Sequence, residues 1–374
     1  MSISREYLAG ESSHDVSHDL DVLHEYGAPA HFRPHRLIAA QRGGQLRMAT
    51  PQYLRHALSL LRRGDFTRAR RLGEDTRVLR SIFRRTTHPV VIGFAPYHWF
   101  APALVALRRR RPVVLLTSWP RWEEEPVHSG GPLLQASWRA LLRDLPAVGV
   151  TRTAASSVAA LGARSRVIPH PVDTTELTPD FERKRTDRAR FVFAGRLVEA
   201  KGLRELAAII ESWNGPPVEW QFAGDGPERA RLEALARGGY PVELLGHRTG
   251  AQLTEVYRAA TALVLPSFRV PRWEEIFGLC IIEAMACGTP CVATDCIGPS
   301  EIIEDGRTGY LVRQHDRPAL RDRLLQLASA PERALELGRA AREAAVERYE
   351  LRRVAKQWES VLDDAARAHE GGST

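Results

Sequence analysis

Short continuous apolar runs alternate along this chain with longer stretches of helical spacing. Strands buried on both faces of a parallel sheet and joined by helices leave this pattern. In the first half, residues 20–23 and 36–39 read as short strands. Residues 51–61 have helical spacing, and residues 75–83 continue as helix after a break at Gly64. Residues 89–94 then read as a strand, 101–108 as a buried helix and 111–117 as a buried strand ending in Ser118-Trp119-Pro120. Strand, helix and strand with short links form a parallel βαβ unit, and ligands collect at the carboxyl ends of such strands. His98, in a loop with Tyr97 and Trp99, and the corner Thr117-Ser118-Trp119 lie at those ends. By position they are candidates for an acceptor or sugar site, with a purely structural loop histidine as the competing reading of His98.

From residue 190 the alternation is regular. Residues 190–194 form a strand that turns at Gly195, and Lys201-Gly202 opens a helix. Strands follow at 219–223, 242–245 and 262–265, with helices from about Glu228 and over 252–260. The run from Ile276 to Cys287 is apolar except for one carboxylate, Glu283. It predicts a short buried helix starting near Phe277 or Gly278, stopped by Gly288 and Pro290, and then a strand over 291–294. Residues 301–309 read as helix and turn, the chain from Pro318 is helical, and 351–368 is a last helix.

Composition changes this picture little, and charge changes it more. The chain has 374 residues, 44% apolar and 26% charged, enough for two globular domains. The amino-terminus lacks the apolar core of a signal peptide, so a cytoplasmic protein is expected. Residues 90–107 carry no Lys, Arg, Asp or Glu and are followed by Arg108 to Arg111, which approaches a membrane span. Gly93, Pro96, His98 and Pro102 interrupt that stretch, and strand, loop and helix explain it better. None of Cys280, Cys287, Cys291 and Cys296 makes a Cys-x-x-Cys pair, so they read as small buried hydrophobes and not as a zinc site. Residues 1–175 carry 25 Lys and Arg against 14 Asp and Glu, and the remainder carries 28 against 31. The excess gathers at Arg62-Arg63, Arg68 to Arg71, Arg84-Arg85 and Arg108 to Arg111. A surface of that sign suits anionic lipid, a phosphorylated acceptor or nucleic acid. With only three lysines in the chain, an ordinary Arg-rich solvated surface is the alternative.

The candidate chemistry gathers in the second half. Burying Glu283 is costly unless something binds it. Ahead of it lie Glu274, Glu275 and Gly278, and at a glycine the backbone can approach a ligand closely. A helix start behind such a loop offers backbone N–H groups and a positive dipole end, which suit phosphate. Glu283 lies more than a turn inside, placed to take two hydroxyls of a ribose, or else to pair with an arginine in the core. Upstream, Arg196 and Lys201 put two cations at a strand-to-helix loop, a plausible diphosphate clamp.

Glu275-x-Phe-Gly-x-x-x-x-Glu283-Ala-x-Ala-x-Gly-x-Pro290 resembles the signature of retaining glycosyltransferases of the GT-B fold, the "glycosyl transferases group 1" family. Gly195-Arg196-Leu197 with Lys201-Gly202 is similar to a second motif of that family. The resemblance implies an α/β GT-B fold, two Rossmann-like parallel-sheet domains facing a cleft. Its expected parts are an acceptor-side domain over 1–175, a nucleotide-sugar domain over 176–350, and a terminal helix over 351–374 packing back on the first. It implies Arg196, Lys201 and Glu275 as catalytic residues, the two cations holding the leaving diphosphate and Glu275 the donor-sugar hydroxyls. Glu283 would take the donor ribose, the backbone at Phe277, Gly278 and Leu279 the diphosphate, and Gly246-His247 the base, with Gly195 in the phosphate turn.

Two departures from the family stand out. The family's Pro-Asn-Gly-Val-Asp reads Pro169-His170-Pro171-Val172-Asp173 here, which implies a stiffer hinge. The opening strand with its Gly-rich loop has no clear counterpart, Gly43-Gly44 after residues 37–40 being the one candidate, and this leads to the expectation that the chain begins late. The function expected is retaining transfer of a sugar from a nucleotide-sugar, used as co-substrate, to a lipid-linked, polysaccharide or other glycan acceptor. No metal or other cofactor and no nucleic acid are expected, whereas peripheral contact of the basic half with anionic membrane is. A non-catalytic or incomplete nucleotide-sugar-binding GT-B protein, or another GT-B enzyme such as a phosphorylase or epimerase, are the alternatives.

Overall fold

A computed structural model describes residues 19–25, 29–51, 78–123, 131–183, 188–271 and 273–371. The strands are β1 (Leu20–His24), β2 (Leu46–Ala49), β3 (Val90–Gly93), β4 (Val113–Thr117), β5 (Pro146–Gly149), β6 (Arg164–Val167), β7 (Ala189–Ala194), β8 (Val218–Ala223), β9 (Val242–Gly246), β10 (Ala262–Leu265), β11 (Cys291–Thr294) and β12 (Gly309–Val312). They form two parallel six-stranded sheets of order β2-β1-β3-β4-β5-β6 and β12-β11-β10-β7-β8-β9. In each sheet the strand order reverses beside the first strand, between β1 and β3 and between β7 and β10. Those reversals are the switch points at which ligands bind in open α/β sheets.

Two compact units separate among the described residues. One holds β1 to β4 as far as Leu116, the helix Pro132–Leu142 and the chain from Trp358 onward; the other holds residues 117–123 and 147–357. In the first unit, the last helix (Leu351–Gly371) meets helix α1 (Arg33–Gln41). Arg42 reaches Glu359 at 3.3 Å and Asp363 at 3.0 Å, and the His35 ring packs edge-on to Trp358 at 4.2 Å. The core of the second sheet is aromatic, because β7 and β8 pair Phe191 with Trp220 and Phe193 with Phe222. Among the described residues, no helix is long and apolar enough to cross a membrane.

Most expected elements fall where the pattern places them, and three differ. Residues 36–39 belong to α1, which carries a proline in its first turn, because a four-residue apolar run fits either period and proline is at home there. Gly43-Gly44 therefore follows α1 and leads into β2, so it does not join the first strand to the first helix. The helix expected at 301–309 runs from Ile297 to Ile302, with Gly298 and Pro299 inside it. The helix expected at 51–61 lies outside the described residues beyond Pro51, and of that at 75–83, residues 78–82 are helical.

Candidate functional site

The loops leaving β7 and β10, at the switch point of the second sheet, are built against each other. Gly202 has φ +74 and opens the helix Leu203–Glu211; a Cβ there would stand 1.9 Å from the Pro266 carbonyl oxygen. Only glycine allows this approach. Phe268 N–H donates to the Ala200 carbonyl at 2.9 Å, closing the same seam. Across it the Lys201 ammonium contacts the Glu275 carboxylate, and Ser267 Oγ donates to the same carboxylate oxygen at 3.3 Å. The paired side chains are only 12% and 11% exposed, so the charges are largely out of water and strongly coupled. Trp273 covers the ammonium, which lies 5.4 Å from the ring centre. Behind them the Ser267 carbonyl accepts from the Thr294 hydroxyl and, at 3.2 Å, from the Cys296 thiol.

Glu274 and Glu275 are adjacent and differently employed. Glu274 accepts from Arg121 at 3.0 Å and from Ile297 N–H at 3.1 Å, while the Glu275 carbonyl accepts from Gly298 N–H at 2.9 Å. These bonds sew the strap 274–278 to the start of the Ile297–Ile302 helix, where a Cβ on Gly298 would stand 2.4 Å from the Phe277 carbonyl oxygen. Gly278, at φ +85, then opens helix α2 (Leu279–Ala286) without a side-chain cap. The first N–H groups of such a helix are left to solvent or a ligand, and anions bind well there. Further along α2, the half-buried Glu283 accepts from the Tyr257 hydroxyl at 3.0 Å. Burial, and then the Glu283 charge, push the Tyr257 phenol well above its ordinary range, so it stays a donor. All four cysteines are free thiols, and burial pushes Cys280, Cys287 and Cys296 up to about 12. They are unreactive packing groups.

A glycine cradle completes the floor. Gly224 and Gly226, at φ +149 and +153, lie against the loop after β7, where Cβ atoms would stand 1.8 Å from the Gly195 and 2.5 Å from the Leu197 carbonyl oxygens. Gly224 N–H also donates to the Gly246 carbonyl at 2.8 Å. Gly195, Gly246 and the exposed His247 are thereby drawn to one end of the sheet with Lys201, Phe277, Gly278 and Leu279. Arg196 is exposed and makes no ion pair among the described residues.

The acceptor-side candidates fare differently. The Thr117 hydroxyl is buried and accepts from Trp119 N–H at 3.1 Å and from the Trp122 indole at 3.0 Å, which fastens the corner; Ser118 is exposed and Trp119 half-buried. His98, in the first unit, has its Nδ1 accepting from Phe100 N–H at 3.3 Å and its Nε2 3.9 Å from Glu25. Glu25 directly follows β1 at that sheet's switch point and accepts from Ala95 N–H at 3.0 Å. The sequence reading passed over Glu25, Arg121, Tyr257 and Trp273. Nothing periodic marks them, although a lone tryptophan two residues before Glu275 was a visible signal.

The family model described as Glycosyl transferases group 1 matches residues 188–330. The D-inositol 3-phosphate glycosyltransferase of Paenarthrobacter aurescens (strain TC1) is 33% identical over 194 residues, 48% of this chain and 46% of that protein. The N-acetyl-alpha-D-glucosaminyl L-malate synthase of Bacillus anthracis is 32% identical over 154 residues, 40% of this chain and 39% of that one. The chain thus spans about half the length, or less, of these curated relatives. The crystal structure of Anabaena Alr3699/HepE in complex with UDP matches with a TM-score of 0.65 at 18% identity, over 92% of this chain and 100% of that one. At that identity the likeness speaks to the fold, which agrees with the two parallel sheets. The chain has the GT-B fold, and its residues 188–330 are similar to the group 1 glycosyltransferases.

Proposed function

We propose that this protein is a retaining glycosyltransferase that moves a sugar from a nucleotide-diphosphate donor to a glycan, polysaccharide or lipid-linked acceptor. The observation that carries the reading is the convergence of Lys201, Glu275 and the uncapped start of α2 at the second sheet's switch point. Departure of a nucleoside diphosphate builds negative charge, and preorganised donors aimed at that charge supply most of the stabilisation. Lys201, Arg196 and the α2 amides are such donors, so the reading calls for no metal ion. In the absence of donor the Lys201 ammonium rests on Glu275. An incoming diphosphate competes for it and leaves Glu275 to the donor-sugar hydroxyls. Glu283, steadied by Tyr257, takes the ribose, and Gly246-His247 lie beside the base. The UDP named for the HepE structure supports a nucleoside-diphosphate donor. A cytoplasmic protein, with its basic first half in peripheral contact with anionic membrane, belongs to the same reading.

The test is a thermal-shift panel of UDP-, GDP- and ADP-sugars on the wild type and on Glu283→Ala, followed by turnover with the donor it selects. A ligand at about 100 times its Kd stabilises the fold by about 2.7 kcal/mol. The expected result is a shift with one nucleotide series that Glu283→Ala abolishes. No shift with any series overturns the reading, and binding without turnover would leave a nucleotide-sugar-binding protein in its place.

A further inference from the structure

The strap between β10 and Gly278 holds one feature that the donor chemistry so far leaves unused. Phe268 is tied by its N–H to the Ala200 carbonyl and packs its ring on His315 at 4.5 Å, and Arg269 N–H donates to Gln314 at 2.8 Å. Beyond these anchors Val270 and Trp273 exchange backbone hydrogen bonds of 2.9 and 3.1 Å, so the strap folds back on itself. That turn delivers the Trp273 indole over the Lys201 ammonium, two residues before Glu275. The ring is half-buried, and its indole N–H has no hydrogen-bond partner among the described residues. A large apolar face with a polar edge, kept partly open and held by a dedicated turn, is the equipment of a binding surface.

We propose that Trp273 is a specificity-determining residue, with its indole packing against the apolar face of a pyranose donor sugar and its N–H edge turned to a sugar hydroxyl. The proposal rests on the donor reading above. Lys201 would hold the diphosphate, and the sugar hangs directly from that diphosphate, which brings it within reach of a ring 5.4 Å from the same ammonium. Glu275, paired with the same Lys201, then contacts the sugar's hydroxyls while Trp273 contacts its carbon-bound hydrogens. Such a ring favours sugars with an unbroken apolar face. It contributes nothing to a nucleoside diphosphate lacking the sugar.

That difference is the test. Isothermal titration would compare the nucleoside diphosphate (UDP, GDP or ADP) that binds wild type with its glucose and N-acetylglucosamine conjugates. Trp273→Ala is expected to weaken the tighter-binding conjugate about tenfold and to leave the free diphosphate within about twofold. Trp273→Phe, which keeps an aromatic face, should recover most of the loss. Equal weakening of diphosphate and conjugate would mean that Trp273 acts through Lys201 or the strap, and no weakening would mean that the ring does not meet the sugar. Either result overturns the proposal. If wild type binds none of the three diphosphates, the donor reading falls and this proposal with it, an outcome the variants cannot mimic.

Discussion

Lys201 has its ammonium divided between Glu275 and the Trp273 ring, and this sets what its loss would do. Lys201→Ala removes a cation from the diphosphate and leaves Glu275 without its charged partner. We expect kcat to fall at least about tenfold in steady-state assays with the donor saturating, as electrostatic groups at a leaving anion typically cost that much or more. Wild-type turnover would remove Lys201 from the mechanism. In the first unit, His35 is fully buried between Phe32 and Trp358, and neither ring nitrogen has a hydrogen-bond partner among the described residues. Burial lowers its pKa from 6.5 to about 3, so it is neutral in the folded protein and takes up a proton on unfolding anywhere between those values. The stability it contributes is complete above pH 6.5 and is lost as pH falls, about 2 kcal/mol by pH 5. His24, lowered to about 4 by burial and by His31, adds to the same slope. Calorimetry should find a lower Tm at pH 5 than at pH 7, with a smaller drop in His35→Phe, which also spares the two unpaired nitrogens. Equal drops in the two proteins would exclude His35 as a source. Glu283 and Lys201 were legible because each breaks an apolar or lysine-poor context and Glu275 through its motif spacing, whereas His35 carries no such mark in the sequence.

At the scale of elements, the short helix Ile297–Ile302 links two sites. Its first turn binds the Glu274 carboxylate through Ile297 N–H, and its last turn carries Glu301 to the start of the helix Arg152–Ala159. Glu301 there accepts from the backbone N–H groups of Arg152 at 2.7 Å and Thr153 at 3.1 Å, and from the Thr153 hydroxyl at 3.0 Å. A carboxylate at a helix N-terminus meets both the unpaired amides and the dipole. Removing it costs about 1–2 kcal/mol on that scale, so Glu301→Ala should lower Tm by a few degrees, with Glu301→Gln falling between. An unchanged Tm in the alanine variant would show that solvent replaces the carboxylate at no cost. The sequence placed Glu301 at the beginning of a helix, and in the structure it lies near the end of one. The structure uses Gly298 for its missing Cβ, and the close approach of Phe277 that requires it is a tertiary fact with no local signal. Residues 36–39 failed for the complementary reason, being too few for either period to declare itself.

For the molecule as a whole, β7 to β11 of the second sheet were legible as short strands between helical stretches, whereas β12 was not. In the first sheet β1, β3 and β4 were legible, whereas β2 is short, partly polar and carries no strand signal of its own. Charge was the least transparent property. The arginine run 108–111 looked like surface, yet Arg111 is 1% exposed, paired with Asp21 at 2.7 Å and bonded to the His88, Ile82 and Pro89 carbonyls. Arg108 donates to the carbonyls of Ala140, Leu141 and Arg143, and Arg110 to that of Phe83. Guanidinium groups that serve as backbone clamps still carry charge, but those that are buried give little field outside. Of the surplus of 11 cations in residues 1–175, the part held by this run is therefore smaller than its sequence suggests. Membrane contact, where it exists, must come from looser and more salt-sensitive attraction than a fixed lipid pocket would give. Flotation with vesicles containing anionic lipid should accordingly detect binding at about 0.01 M salt, where the Debye length is about 30 Å, and lose most of it near 0.15 M, where it is about 8 Å. Binding that survives high salt would point to a specific lipid site, and absence of binding at low salt would leave the basic half to the fold and to a soluble anionic acceptor.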